Sequence, residues 1–171
     1  MQSLIKVMWD IALWRRDPGE LPASWMLVAL TGLAYGLASY AQAWLLYGRV
    51  DALGRAVADL AITVAFFWLV FAVAGRRSRF VQAGSALLGT SALLSPLMML
   101  LLTLKSPAES HYAVALVVWA GSVAMIVWYL FIVGHIVRTA LERSLGVGMA
   151  VSITYLLASS ALLTRLYPEP T

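Results

Sequence analysis

Apolar and polar positions in this chain fall into long blocks, not into the two-residue alternation of a half-buried strand. Five apolar segments occupy residues 25–47, 52–75, 80–104, 112–137 and 145–166, separated by short polar breaks. Segments of this length suit a helix crossing a hydrocarbon core about 30 Å thick, with some tilt. They lack the ten-residue alternating runs of a membrane β-barrel. The pattern therefore predicts an all-α, polytopic membrane protein. It forms a single membrane domain over residues 1–171, with five transmembrane helices.

Residues 1–16, MQSLIKVMWDIALWRR, have a different pattern. At helical spacing Ser3, Lys6, Asp10 and Asp17 form a polar stripe, and Leu4, Ile5, Met8, Trp9, Ile11, Ala12 and Trp14 cover the rest. Lys6 and Asp10 stand four apart and can pair. The expected element is an N-terminal amphipathic interfacial helix, either lying on the membrane or packed against the protein's own spans. The charges lie inside and after the apolar run, which is the wrong order for a signal peptide. The stretch DPGELPAS, with two prolines and a glycine, ends it.

Composition places the chain in the same class. It is 62% hydrophobic and 12% charged, with mean hydropathy +0.86, against about 45–50% and 25% in soluble domains. A soluble enzyme or a nucleic-acid-binding domain is excluded, although the net charge is +4. With no cysteine, disulfides and thiolate chemistry are excluded as well. Basic residues instead set orientation. Lys6, Arg15, Arg16, Arg76, Arg77, Arg79, Arg138 and Arg143 fall on one side, while Arg49, Arg55, Lys105 and Arg165 fall on the other. This bias predicts a cytoplasmic N-terminus and an extracytoplasmic C-terminus.

Local stretches resemble the Yip1-like membrane proteins. Arg79-Phe80-Val81-Gln82 leading into Ala86-Leu87-Leu88-Gly89-Thr90 is similar to the start of that family's third helix. Trp128-Tyr129-Leu130 through Gly134-His135, then Ala140-Leu141 and Gly148, is similar to its fourth-to-fifth helix junction. The resemblance covers roughly residues 10 to 166. It implies five packed helices and a non-enzymatic protein, of membrane trafficking in eukaryotes and mostly uncharacterised in bacteria. With the first span starting at Trp25, the bacterial, inner-membrane form is expected.

Candidate chemistry is sparse. Asp59 is the one carboxylate inside a span, and Asp51, Arg55 and Asp59 are four apart on one helix face. An ion site is one reading of Asp59, and a helix-end ion pair with Arg55 is the favoured one. His135 is a candidate pH switch or a hydrogen-bonded interface residue. His111 and His135 fall on opposite sides, so no metal site and no cofactor are expected. The serines and threonines of the spans sit in no Gly-x-Ser-x-Gly elbow, which weighs against a hydrolase. With Gly32, Gly36, Ser85, Gly89, Ala140, Ser144, Gly148 and Ser152 they suit close helix packing. Pro96 removes one backbone donor in the third span and predicts a kink, with Ser91 and Ser95 close enough to bond the loosened backbone. Trp25 and Trp44 read as interface anchors, and Trp68, Trp119 and Trp128 as residues facing other helices.

The expectation is a scaffold or accessory subunit of an inner-membrane assembly, not an enzyme. It would act through helix faces, with a protein partner or as a homo-oligomer, and through a basic face. On that face Arg15, Arg16, Arg76, Arg77, Arg79, Arg138 and Arg143 would bind anionic lipids or a partner protein. The alternative is a small transporter or lipid-handling protein using Asp59 and the Pro96 kink. A topology reporter fused after Thr171 should be active only in the extracytoplasmic space. Cytoplasmic activity there would overturn the odd number of crossings.

Overall fold

The computed structural model describes residues 4–104 and 112–168. Lys105, Glu109 and His111 lie outside the described residues. The elements are α1 (Leu4–Ala12), α2 (Trp25–Tyr47), α3 (Arg49–Val73), α4 (Phe80–Thr103), α5 (Tyr112–Leu141) and α6 (Leu145–Leu166). Short 3₁₀ turns cover Pro18–Glu20 and Arg77–Arg79. Helices α2 to α6 are each long and apolar enough to cross a membrane. The fold is that of a multi-pass membrane protein, and it contains no strand among the described residues.

Helix ends follow local chemistry. Gly48 (φ 81°) lets the chain reverse at once between α2 and α3, so α3 begins at Arg49, three residues before the apolar run. Helix α5 continues four residues past Val137, because the turn at 138–141 packs Ala140 and Leu141 inward although it carries Arg138. The end of a helix and the end of an apolar run are thus different boundaries. Glu142, at φ 54°, then breaks α5, and the Ser144 hydroxyl caps α6 by accepting from the Val147 amide.

The five spans close a ring in the order α2, α4, α5, α6, α3, back to α2. Two faces follow. The basic face carries the turns around Arg76–Arg79 and Glu142–Ser144. The opposite face carries the α2–α3 turn and the end of α6. Small residues set the tightest crossing. A Cβ on Gly148 would fall on the carbonyl of Gly134, so α5 and α6 touch backbone to backbone. Gly32 faces Leu88 of α4 and Gly36 faces Leu60 of α3, both within the chain.

Helix α1 packs against α4 and α5, burying Met8, Ile11 and Ala12. Met8 fills the notch at Gly89, beside Thr31, and the Trp128 indole donates to the Ala12 carbonyl at 3.3 Å. Gly89 lies nine residues into α4, about 14 Å along it. The N-terminal helix therefore reaches well into the bundle, and of the two uses left open by its sequence it shows packing against the spans. Asp10 meets Arg16 at 3.4 Å. Phe67, Phe71 and Phe80 fill the same half of the ring.

The remaining tryptophans correct an expectation. Trp68 and Trp119 face outward, at 47% and 66% exposure. Trp68 stands five residues from the end of α3 and Trp119 seven from the start of α5. Both lie in the outer third of their helices, which suits an interface anchor. Trp68 also lies under the Arg77 guanidinium, 5.8 Å from the ring centre.

Gly148→Leu should separate α5 from α6 and destabilise the protein by about 1–3 kcal/mol or more. The check is thermal unfolding in mild detergent. An unchanged midpoint would mean that the crossing is not tight.

Candidate functional site

The ring brings together polar residues that lie far apart in sequence. Each span contributes a face at helical spacing: Tyr35, Ser39 and Gln42 from α2, Asp59 and Thr63 from α3, Ser91 and Ser95 from α4, Tyr129 from α5, and Tyr155 and Ser159 from α6. Counted from the basic end of its helix, each of these residues stands 10 to 17 positions in. At about 1.5 Å per residue that is mid-height.

Asp59 is the hub. Its Oδ2 accepts from the Tyr35 hydroxyl at 2.6 Å and from the Ser39 hydroxyl at 2.8 Å. Oδ1 accepts from none of the described residues. One turn deeper, the hydroxyls of Thr63 and Tyr155 bond at 2.7 Å, tying α3 to α6. Ser91 reaches the Tyr129 hydroxyl at 3.4 Å. The three tyrosines line one cavity together. Phe66 and Phe67 back Tyr155, with ring centres 5.5 and 4.9 Å away. The tyrosines thus form a floor, sealed from below by aromatic packing.

Above that floor the bundle is open. A cavity of about 270 Å³ runs between α2, α4, α5 and α6, walled by Asp59, the serines, Leu94, Met98, Met125, Ile126 and Leu156. A second cavity, of about 510 Å³, continues from Asp59 to Tyr47 and Tyr167 at the opposite face. Gln42 and Asp59 line both. Pro96 sits inside α4 at this level. Ser95 donates to the Ser91 carbonyl at 2.9 Å and Ser91 to that of Leu87 at 2.7 Å, so both hydroxyls bond the helix backbone ahead of the proline.

Arg55 departs from expectation. It makes no ion pair with Asp59, although the two stand one turn apart on α3. Its guanidinium lies over the Tyr47 ring at 3.7 Å and near that of Tyr167 at 5.1 Å, and Nη2 donates to the Tyr167 carbonyl at 3.2 Å. Two aromatic faces and a carbonyl hold it at the mouth, away from the carboxylate.

The other sequence candidates gather at the basic face, about two turns or more from Asp59. His135 is buried, stacked on Trp14 at 6.1 Å; its Nε2 is 3.3 Å from the Arg16 carbonyl and 3.7 Å from Asp17. It fastens the segment after α1 to α5. Gln82 fastens the same segment to α4 by donating to the Gly19 and Leu21 carbonyls. The arginines divide. Arg16 meets Asp10 and Glu20, while Arg76 and Arg79 clasp Glu142, at 2.6 and 3.6 Å. The Arg76 hydrogen bond holds the Glu142 carboxyl below its usual range, so this clasp persists at neutral pH and loosens only as pH falls through that lowered value. Arg15, Arg77, Arg138 and Arg143 have no carboxylate within 4 Å among the described residues.

Sequence reasoning singled out Asp59 and passed over Tyr35, Gln42, Thr63 and Tyr155. Their signal was present. Tyr35-Ser39-Gln42, Asp59-Thr63 and Tyr155-Ser159 repeat at three- and four-residue spacing in different spans. No family model, curated protein or solved structure matches the chain.

Tyr35→Phe should cost about 1–3 kcal/mol, because it leaves a half-buried carboxylate short of a donor. Tyr35→Phe combined with Asp59→Leu should cost less than the sum of the two single changes. Thermal unfolding of the four proteins measures this coupling, and strict additivity would count against the bond.

Proposed function

We propose that this is a non-enzymatic membrane protein that binds a small polar solute in the chamber above Asp59, as a small transporter does. The observation that carries the reading is the carboxylate itself. An ionisable group at mid-height in a membrane bundle is costly, and such groups mark solute or ion paths. Here it stands where two cavities meet, with hydroxyls fixing one oxygen and the other left unbonded. A carboxylate needed only to join α2 to α3 would not require a chamber beside it.

The charge bias supports a cytoplasmic basic face with the mouth outside, and the membrane we propose is a bacterial inner membrane. The chamber is then open outward and closed inward by α1, the phenylalanines and the tyrosine floor. On this reading α1 serves as a wedge within the inner half, with its exposed Trp9 toward lipid.

A second reading, an accessory subunit acting through its basic face, draws on the arginines that have no carboxylate neighbour. Arg15, Arg77 and Arg143 are available for anionic headgroups or an acidic partner. Co-purification in mild detergent separates it from the first.

The absence of cysteine allows a direct test of the chamber. Single cysteines at Thr164, Ser160 and Ser39 should react with a charged, membrane-impermeant thiol reagent applied from outside. One at Ser85, buried in the packed half, should not. Protection at Ser39 and Ser160 would mean a dry bundle and would remove the solute-binding reading.

A further inference from the structure

We infer that the chamber takes a small zwitterion, one molecule carrying both an ammonium and an anionic group, with an apolar substituent. This rests on the solute-binding reading above and names its ligand class. The two cavities contain two charged side chains in their walls, Asp59 and Arg55. They are opposite in sign and four residues apart on one helix face, the spacing at which such pairs normally meet. They are instead held apart, Asp59 by Tyr35 and Ser39, Arg55 by Tyr47 and Tyr167.

Each charge keeps unused capacity. Asp59 Oδ1 accepts from no described residue. Of the five guanidinium N–H groups on Arg55, one is engaged, through Nη2, and Nε is buried without a partner. Opposite charges kept separate in one cavity attract a ligand of reversed polarity. An ammonium would pair with Oδ1, in the cavity that Asp59 lines together with Tyr35, Tyr129 and Tyr155. An anionic group then lies one turn higher, at the guanidinium. Leu94, Met98, Met125, Ile126 and Leu156 line the space left for an apolar substituent. A lone cation would meet Arg55 on its way in, and a lone anion would meet Asp59 at the end. Only a molecule carrying both charges satisfies both groups.

The shared chemistry belongs to free α-amino acids and to phosphatidylethanolamine headgroups, so the experiment includes both. Thermal unfolding of the full chain in mild detergent is followed against L-phenylalanine, phenethylamine and 3-phenylpropionate. In a parallel arm, short-chain phosphatidylethanolamine is compared with short-chain phosphatidylglycerol. A zwitterion in at least one arm should bind about tenfold or more tightly than its singly charged analogues. Preference for phenylalanine identifies a free solute, and preference for phosphatidylethanolamine alone identifies a lipid headgroup. Arg55→Gln should abolish the preference for phenylalanine over phenethylamine while leaving the amine bound. Asp59→Asn should weaken both. If Asp59→Asn does not fold, Arg55→Gln decides alone. Equal binding of phenethylamine and phenylalanine together with no preference for phosphatidylethanolamine over phosphatidylglycerol, or no binding of any probe, overturns the zwitterion. The chamber is judged separately, by thiol labelling at Ser39.

Discussion

A carboxylate at mid-height in a membrane bundle must be surrounded by donors, and the inner architecture of this protein follows from meeting that requirement at Asp59. Tyr35 and Ser39 meet it directly, which fixes the register of α2 on α3. Tyrosine is suited to the task because its ring extends the apolar packing while its hydroxyl reaches the polar hub. The same compromise recurs at Tyr129 and Tyr155, so one charge organises a layer drawn from all five spans.

Around that layer the bundle is built differently on its two sides. Toward the basic face, glycine and alanine bring backbones together, phenylalanines fill the ring, and α1 occupies the groove between α4 and α5. Toward the opposite face, α4 carries a proline, and serines and methionines leave space between the helices. Close packing and an internal cavity are competing uses of the same volume. The protein assigns one to each half, which gives the site a firm base under an open cavity.

The spans were legible because continuous apolar runs can be satisfied in lipid only by helices. Their helical ends were less so. The turn at 138–141 reads as polar from Arg138, yet it stays helical because Ala140 and Leu141 find a packing surface. Asp59 was visible as a lone charge, but its partners were not, since a tyrosine in an apolar run looks the same whether it faces lipid or a carboxylate. Arg55 was assigned to Asp59 on spacing alone; the aromatic rings that take it away come from residues 47 and 167, and only the closed ring brings them near. Trp68 and Trp119 were misjudged for a related reason, since position along a helix is readable but the direction of a side chain depends on its neighbours. His135 was visible as a lone histidine, but nothing in the sequence names Arg16, Trp14 and Asp17 as its neighbours.

The ring order has a bearing on how the chain is made. Helix α6 follows the other four spans in the chain, yet it lies between α5 and α3, joined to them by the Gly134–Gly148 crossing and the Thr63–Tyr155 bond. Until it arrives, α3 has already entered the bilayer with Asp59 and Thr63 on a face that lacks one wall. The chain therefore holds a polar seam against lipid until α6 has been made, about a few seconds for a segment of that length. Completion of the chamber waits on α6, and a chain stopped short of it would display to the membrane the very groups that α6 covers.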